Sequence, residues 1–205
     1  MLANLTVVDF LEETASNSPV PGGGSIAAVS AAFSAALTQM VANLTLGKKG
    51  YEDVQEEAES VAKEAARMKS LFVEYIDKDS DAFNEVMNAF KLPKDTDENI
   101  EQRKKAIQDA TKLAALVPLD VAREAYKIMA LAQVAVEKGN KNAVTDAAVA
   151  TMMARTAVLS ALYNVKINLG SIKDSEFVEK VAKEVDELEK NVKLREEEIL
   201  SKVVL

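Results

Sequence analysis

The 205-residue sequence predicts an all-α protein, a single-domain bundle of long antiparallel helices spanning 1–205. Three observations lead there. Apolar residues recur at three- and four-residue steps over most of the chain, the spacing of a buried helix face. No window alternates with period two, as a half-buried strand would. Aromatic content is 5%, with no Trp and abundant Ala, which suits closely packed helices better than a sandwich or barrel.

Taken in order, the spacing predicts a short helix over about Val7 to Ser16, then a loop from Asn17 to Gly23. A helix of small and apolar residues follows from about Gly24 to Leu46 and stops at Gly47-Lys48-Lys49-Gly50. Val54, Ala58, Val61, Ala65, Met68, Phe72, Ile76, Phe83, Val86, Met87 and Phe90 then mark one face of a long helix. Leu92-Pro93-Lys94-Asp95 breaks it. The next helix covers about Asp97 to Leu116, and Pro118, favoured in a first turn, starts another that runs to Lys138. Gly139-Asn140 reads as a turn. A long apolar helix spans Asn142 to Leu169, and Gly170 leads to an amphipathic helix over roughly Asp174 to Val203.

Composition excludes several chemistries. The chain has no Cys, hence no disulfide, thiolate nucleophile or Cys-bound metal. It has no His either, which removes His-dependent triads, His-bound zinc and the usual near-neutral base. Acid–base work must rest on Asp, Glu, Lys, Tyr or water. A net charge of −8 argues against nucleic acid as a partner. The N-terminus lacks a basic signal region, and Ser25 to Val41 reads as a buried helix rather than a membrane span. A cytoplasmic protein is expected.

Asp79 falls in the apolar stripe, three residues after Ile76 and four before Phe83. A carboxylate on a buried face is costly unless paired or used, and burial raises its pKa toward the range of general acid–base catalysis. A satisfied structural Asp fits the same pattern. Asp146 and Asn164 share a face of one helix, with Asn168 a turn further on. Asp146 and Asn164 nevertheless stand about 27 Å apart along the axis, so one copy of the helix does not bring both to one compact site. A first-turn acid beside the helix dipole accounts for Asp146 as well, and interhelical bonding for the asparagines. Arg155, on the face opposite Asp146, calls for an acidic partner. Lys48 and Lys49 either answer the dipole of a helix C-terminus or meet an anion. Pro21-Gly22-Gly23-Gly24-Ser25 is either a tight turn or an anion cradle; no strand precedes it, so neither nucleotide-loop motif applies.

PGGGSIAA, MVANLTLGKK, IDKDSDAF, KLPKDT, VPLDVA and KGNKNAVTDAAVA followed by LYNVKINL together resemble the cyclodeaminase/cyclohydrolase family, over nearly the whole chain. Thr145 stands where many relatives are expected to carry Ser, and it keeps the hydroxyl. The resemblance implies an all-α subunit, a homodimer or larger assembly, a tetrahydrofolate substrate, and no metal or cofactor. It implies formiminotetrahydrofolate cyclodeaminase activity, with methenyltetrahydrofolate cyclohydrolase as the alternative. A non-catalytic helical interaction protein is the reading from another class. Carried over by position, Asp79 or Asp146 is the proton-transfer group. Pro21, Gly22, Gly23, Gly24, Ser25, Asn43, Lys48, Asn140, Asn164 and Asn168 are expected to bind substrate: the glycine loop and Lys48 its carboxylate, the asparagines its pterin or one-carbon unit.

Overall fold

The computed structural model describes residues 1–205 and contains six α-helices: α1 Val7–Ala15, α2 Gly23–Asn43, α3 Gln55–Lys91, α4 Asp97–Lys138, α5 Val144–Leu169 and α6 Ser175–Leu200. Short 3₁₀ turns at Leu2–Asn4, Glu52–Val54 and Lys141–Ala143 punctuate them. The starts of three helices carry the side-chain caps their sequences offer: Thr6, Thr96 and Asp174 accept from the main-chain N–H of Asp9, Asn99 and Phe177. The turn between α2 and α3 relies on Gly47 and Gly50, whose φ angles of +66° and +88° disfavour any residue with a Cβ.

Helices α2 to α5 form an up-down bundle around one continuous core, and α6 lies across α5 and α4. Alanine makes the close approach possible. Ala27, Ala28, Ala31 and Ala35 of α2 and Ala147, Ala150, Ala154, Ala157 and Ala161 of α5 are all fully or nearly fully buried. Ser34 stitches the two helices by donating to the Ala150 carbonyl at 2.7 Å. Although α2 is long and apolar enough to cross a bilayer by length and composition, it packs here against α3, α4 and α5. Arg155 finds its acid within the chain, Glu196 of α6 at 3.4 Å.

Two expectations need correction. The apolar stripe of α3 does not stay buried to its end: Met87 and Phe90 are exposed, because the end of α3 and the start of α4 project past the start of α2 as a helical hairpin. More consequential is Pro118, which starts no new helix. α4 runs unbroken from Asp97 to Lys138 with Pro118 buried inside it. Proline lacks an N–H, so the carbonyl four residues earlier, Ala114, has no donor from its own ladder. Asn168 of α5 supplies one, its Nδ2 donating to Ala114 O at 3.0 Å. Tertiary contact thus repairs the ladder that local propensity says should end.

Candidate active site

The start of α2 meets the middle of α3 through an internal bond. Ser25 donates its hydroxyl toward Asp79 Oδ2 at 3.0 Å, across 54 residues of sequence. Ile76 O, also at 3.0 Å, and Ser80 Oγ at 3.2 Å complete the surroundings of that hydroxyl. Gly24 lies against the carboxylate, and a Cβ at that position would overlap it. Burial pushes the Asp79 carboxyl above its ordinary range; the Ser25 hydroxyl and main-chain N–H pull it back only in part.

The glycine-rich stretch therefore stands against the protein's own Asp79. Gly24 makes room for Asp79, and Gly23 makes room for Asn164, whose Nδ2 would stand 3.0 Å from a Cβ there. Pro21 and Gly24 are buried beneath the loop, and the Val20–Pro21 peptide bond is cis. Ser25 is fully buried, so its influence on any ligand runs through Asp79.

A cleft of about 340 Å³ opens over this group. Pro19, Val20 and Gly22–Gly24 form one wall; Asp79, Phe83 and Val86 of α3 form another; Ala114 of α4 and Asn164, Ile167 and Asn168 of α5 close it. Both asparagines are held by main-chain carbonyls. Asn164 donates Nδ2 to Ser160 O at 2.9 Å, and Asn168 donates Nδ2 to Asn164 O at 2.9 Å and to Ala114 O at 3.0 Å. Asn168 thus uses both its N–H groups and leaves its carboxamide oxygen as an acceptor for a ligand, while Asn164 keeps one N–H as well as its oxygen. Asp79 is the one ionisable residue lining the cleft. The arrangement can accept and return a proton, and it favours a ligand rich in N–H donors or carrying delocalised positive charge.

Sequence reasoning thus finds Gly22, Gly23, Gly24, Asp79, Asn164 and Asn168 in one cleft, with Pro21 and Ser25 directly behind. Asn43, Lys48, Asn140 and Asp146 stand at the other end of the bundle, some 27 Å away along α5, so the cleft of one chain does not contain them. Asn140 is an internal clasp there. It is 6% exposed, its Nδ2 donates to Leu44 O at 3.0 Å, and its Oδ1 accepts from Asn142 N at 3.1 Å. Its own N–H reaches Thr45 Oγ1 at 2.9 Å. Asn140→Ala keeps the main-chain bond to Thr45 but leaves Leu44 O and Asn142 N without their side-chain partner, and is expected to lower stability by about 1–3 kcal/mol in urea denaturation. Ser80, Phe83, Val86, Ala114 and Ile167 were not singled out as site residues. Helical spacing could have found three of them: Phe83 and Val86 follow Asp79 at four and seven residues, and Ile167 follows Asn164 at three.

A desolvated carboxylate lining one cleft with two fixed carboxamides in an all-helical chain fits the class of helical acid–base enzymes. The comparisons narrow the class. Residues 6–187 match the family model described as formiminotransferase-cyclodeaminase. A methenyltetrahydrofolate cyclohydrolase from Methylorubrum extorquens is 40% identical over 188 residues, covering 92% of this chain and 90% of that protein. The formimidoyltransferase-cyclodeaminase of Rattus norvegicus is 32% identical, with 87% of this chain matched to 33% of its length. The crystal structure of a formiminotetrahydrofolate cyclodeaminase from Thermotoga maritima superposes with a TM-score of 0.89 at 30% identity, covering 99% of this chain and 98% of that one. The chain belongs to the formiminotransferase-cyclodeaminase family, and it spans about a third of the length of the formimidoyltransferase-cyclodeaminase from rat.

Proposed function

We propose that this protein is a formiminotetrahydrofolate cyclodeaminase, converting 5-formiminotetrahydrofolate to 5,10-methenyltetrahydrofolate and ammonia. The observation that carries the proposal is Asp79, the sole ionisable group lining a cleft whose fixed side-chain amides offer oxygens. The reacting carbon of such a folate lies between nitrogens and carries delocalised positive charge, which suits a carboxylate and acceptor oxygens.

In the proposed reaction the cleft holds N10 against the protonated formimino group. N10 attacks the carbon as its proton passes to Asp79. The tetrahedral carbon then bears N5, N10 and an amino group. Asp79 returns the proton to the amino group, the carbon–nitrogen bond breaks, and ammonia leaves. The N5 lone pair closes the methenyl cation, so charge and protons balance without metal or redox cofactor. Asn164 and Asn168 orient the N–H donors, while the apolar Phe83, Val86 and Ile167 take the ring faces.

The relative at 40% identity and similar length supports a second reading, methenyltetrahydrofolate cyclohydrolase. There Asp79 takes a proton from water as the hydroxyl adds to the methenyl carbon, then delivers it to N5 as the C–N5 bond breaks. The new hydroxyl loses its proton to solvent, giving 10-formyltetrahydrofolate. Purified protein supplied with each substrate separates the two. Ammonia release with appearance of the methenyl chromophore supports the deaminase, and loss of that chromophore without ammonia supports the hydrolase. Turnover of neither would sink both.

A homodimer belongs to the same proposal. Phe33 and Met40 on α2, and Met152, Tyr163 and Ile167 on α5, leave apolar surface exposed on two adjacent helices; Tyr163 is 72% and Ile167 74% exposed. A second copy packed there about a two-fold axis crossing the middle of α5 would carry the Lys48 and Asp146 end of one subunit toward the cleft of the other. That would supply the cation for the folate tail which the cleft itself lacks. Residence in the cytoplasm, where such folates are handled, completes the reading.

A further inference from the structure

The Ser25 hydroxyl has one hydrogen and three oxygens in reach: Ile76 O, Asp79 Oδ2 and Ser80 Oγ, at 3.0, 3.0 and 3.2 Å. The carbonyl only accepts, and an ionised carboxylate only accepts. Ser25 therefore serves one of them at a time, while Ser80 is placed to donate into Ser25 Oγ. Ser25 is 0% and Ser80 6% exposed, so the hydroxyls must satisfy one another.

We propose that Ser25 and Ser80 are a positioning pair that lets Asp79 act as proton acceptor and proton donor in one cycle. With Asp79 ionised, Ser80 donates to Ser25 and Ser25 donates to Oδ2, which directs an incoming proton to Oδ1. When Oδ1 carries the proton, Oδ2 is an uncharged carbonyl oxygen and a weaker acceptor, and Ser25 can turn its hydrogen to Ile76 O while the proton stays on Oδ1, ready to return to substrate. Both protonation states keep the Ser25 hydroxyl hydrogen-bonded inside the protein, and the change between them is the rotation of one hydroxyl. A rigid donor at this position would favour the ionised state alone and resist the return of the proton.

Within one chain, no other titrating group lines the cleft beside the carboxyl. Helix α2 contains no ionisable residue, and the cleft residues from the Pro19–Gly22 loop, α4 and α5 are all uncharged. On α3 itself, Asp77 accepts from the main-chain N–H of Leu2 and Ala3, and Lys78 and Asp81 point to solvent. A pH response in the cleft of one chain is thus the response of Asp79, and the difference from Asp79→Asn separates it from groups that a second copy brings near.

This inference rests on the reading of Asp79 as the proton-transfer group, and its test is separable from the folate assay. The carboxyl stretch of Asp79, assigned by difference from Asp79→Asn, is titrated by infrared spectroscopy in the substrate-free full-length protein. Ser25→Ala is expected to raise the titration midpoint by about one to two pH units, because a donor to the charged form is lost. Ser80→Ala is expected to raise it by less. The acid limb of the pH–rate profile should move by the same amount in each variant. A slower Ser25→Ala enzyme with midpoint and limb unmoved would mean that the hydroxyl only fills space, and the proposal falls. Should Ser25→Ala fail to fold, an unmoved midpoint in Ser80→Ala overturns it equally. Shifted midpoints in a protein that turns over no folate would support the pair and reject the folate reading alone.

Discussion

Gly24→Ala is expected to lower kcat by about 10²–10⁴-fold while leaving the protein folded. The added methyl overlaps the carboxyl group of Asp79, so one of the two must move. Gly24 is a main-chain position in the first turn of α2, pinned by the buried Ser25 that follows it. Asp79 has a short side chain on a long helix, so its one escape is to swing into the cleft. There it loses the Ser25 hydroxyl and occupies the space proposed for substrate. Alanine is a better helix former than glycine by about 1 kcal/mol, which offsets part of the strain and favours survival of the fold. The neighbouring glycines grade the effect. Gly23→Ala presses on the Asn164 amide at 3.0 Å, and Gly22→Ala meets only Pro19 O at 3.3 Å. Turnover should fall in the order Gly22, Gly23, Gly24, with circular dichroism unchanged. Full activity in Gly24→Ala would reject Asp79 as the reacting carboxylate.

That gradient also marks what could be read from residues alone. The all-helical class was legible because helix faces repeat locally, and the exception, Pro118, is where a distant side chain replaced a local bond. The position of Asp79 was legible for the same reason: an acid between Ile76 and Phe83 must point where they point. What met it was not. A run of glycines at a helix start announces an anion, but nothing within a few residues says that the anion is the carboxylate 55 positions after Gly24. The spacing of Asp146 and Asn164 carried its own warning, since five turns of helix separate them. Ala114 has no chemistry of its own, and its carbonyl, left without a ladder donor by Pro118, holds Asn168 at the cleft. Ser80 is one more small residue on a helix until Ser25 is seen beside it.

Asp79→Asn is expected to lose activity and gain stability, a pairing that a structural aspartate would not produce. Asparagine keeps the shape and can still accept from Ser25, but it can neither take nor return a proton, so kcat should drop by about 10²–10⁴-fold. The stability change follows from burial. Asp79 has a folded-state pKa raised above its unfolded value, chiefly by desolvation. Its contribution is most favourable below the unfolded carboxylate pKa, ordinarily near 4, and declines as pH rises through the folded value, because the folded protein must then hold a charge it solvates poorly. The asparagine variant carries no such charge. Its melting temperature should therefore exceed that of the parent protein at neutral pH, by about 2–4 °C for each kcal/mol of relief in a chain this long. Below the unfolded pKa both proteins are neutral at this position, so acidification should remove the pH-dependent part of the difference. Calorimetry of both proteins from pH 3 to 8 tests the sign directly. A variant less stable than its parent at neutral pH, by a margin that narrows on acidification, would mean that the ionised carboxylate holds the fold together. A more stable variant without turnover would mean that the protein keeps an unfavourable charge at the mouth of α2 because its chemistry requires one.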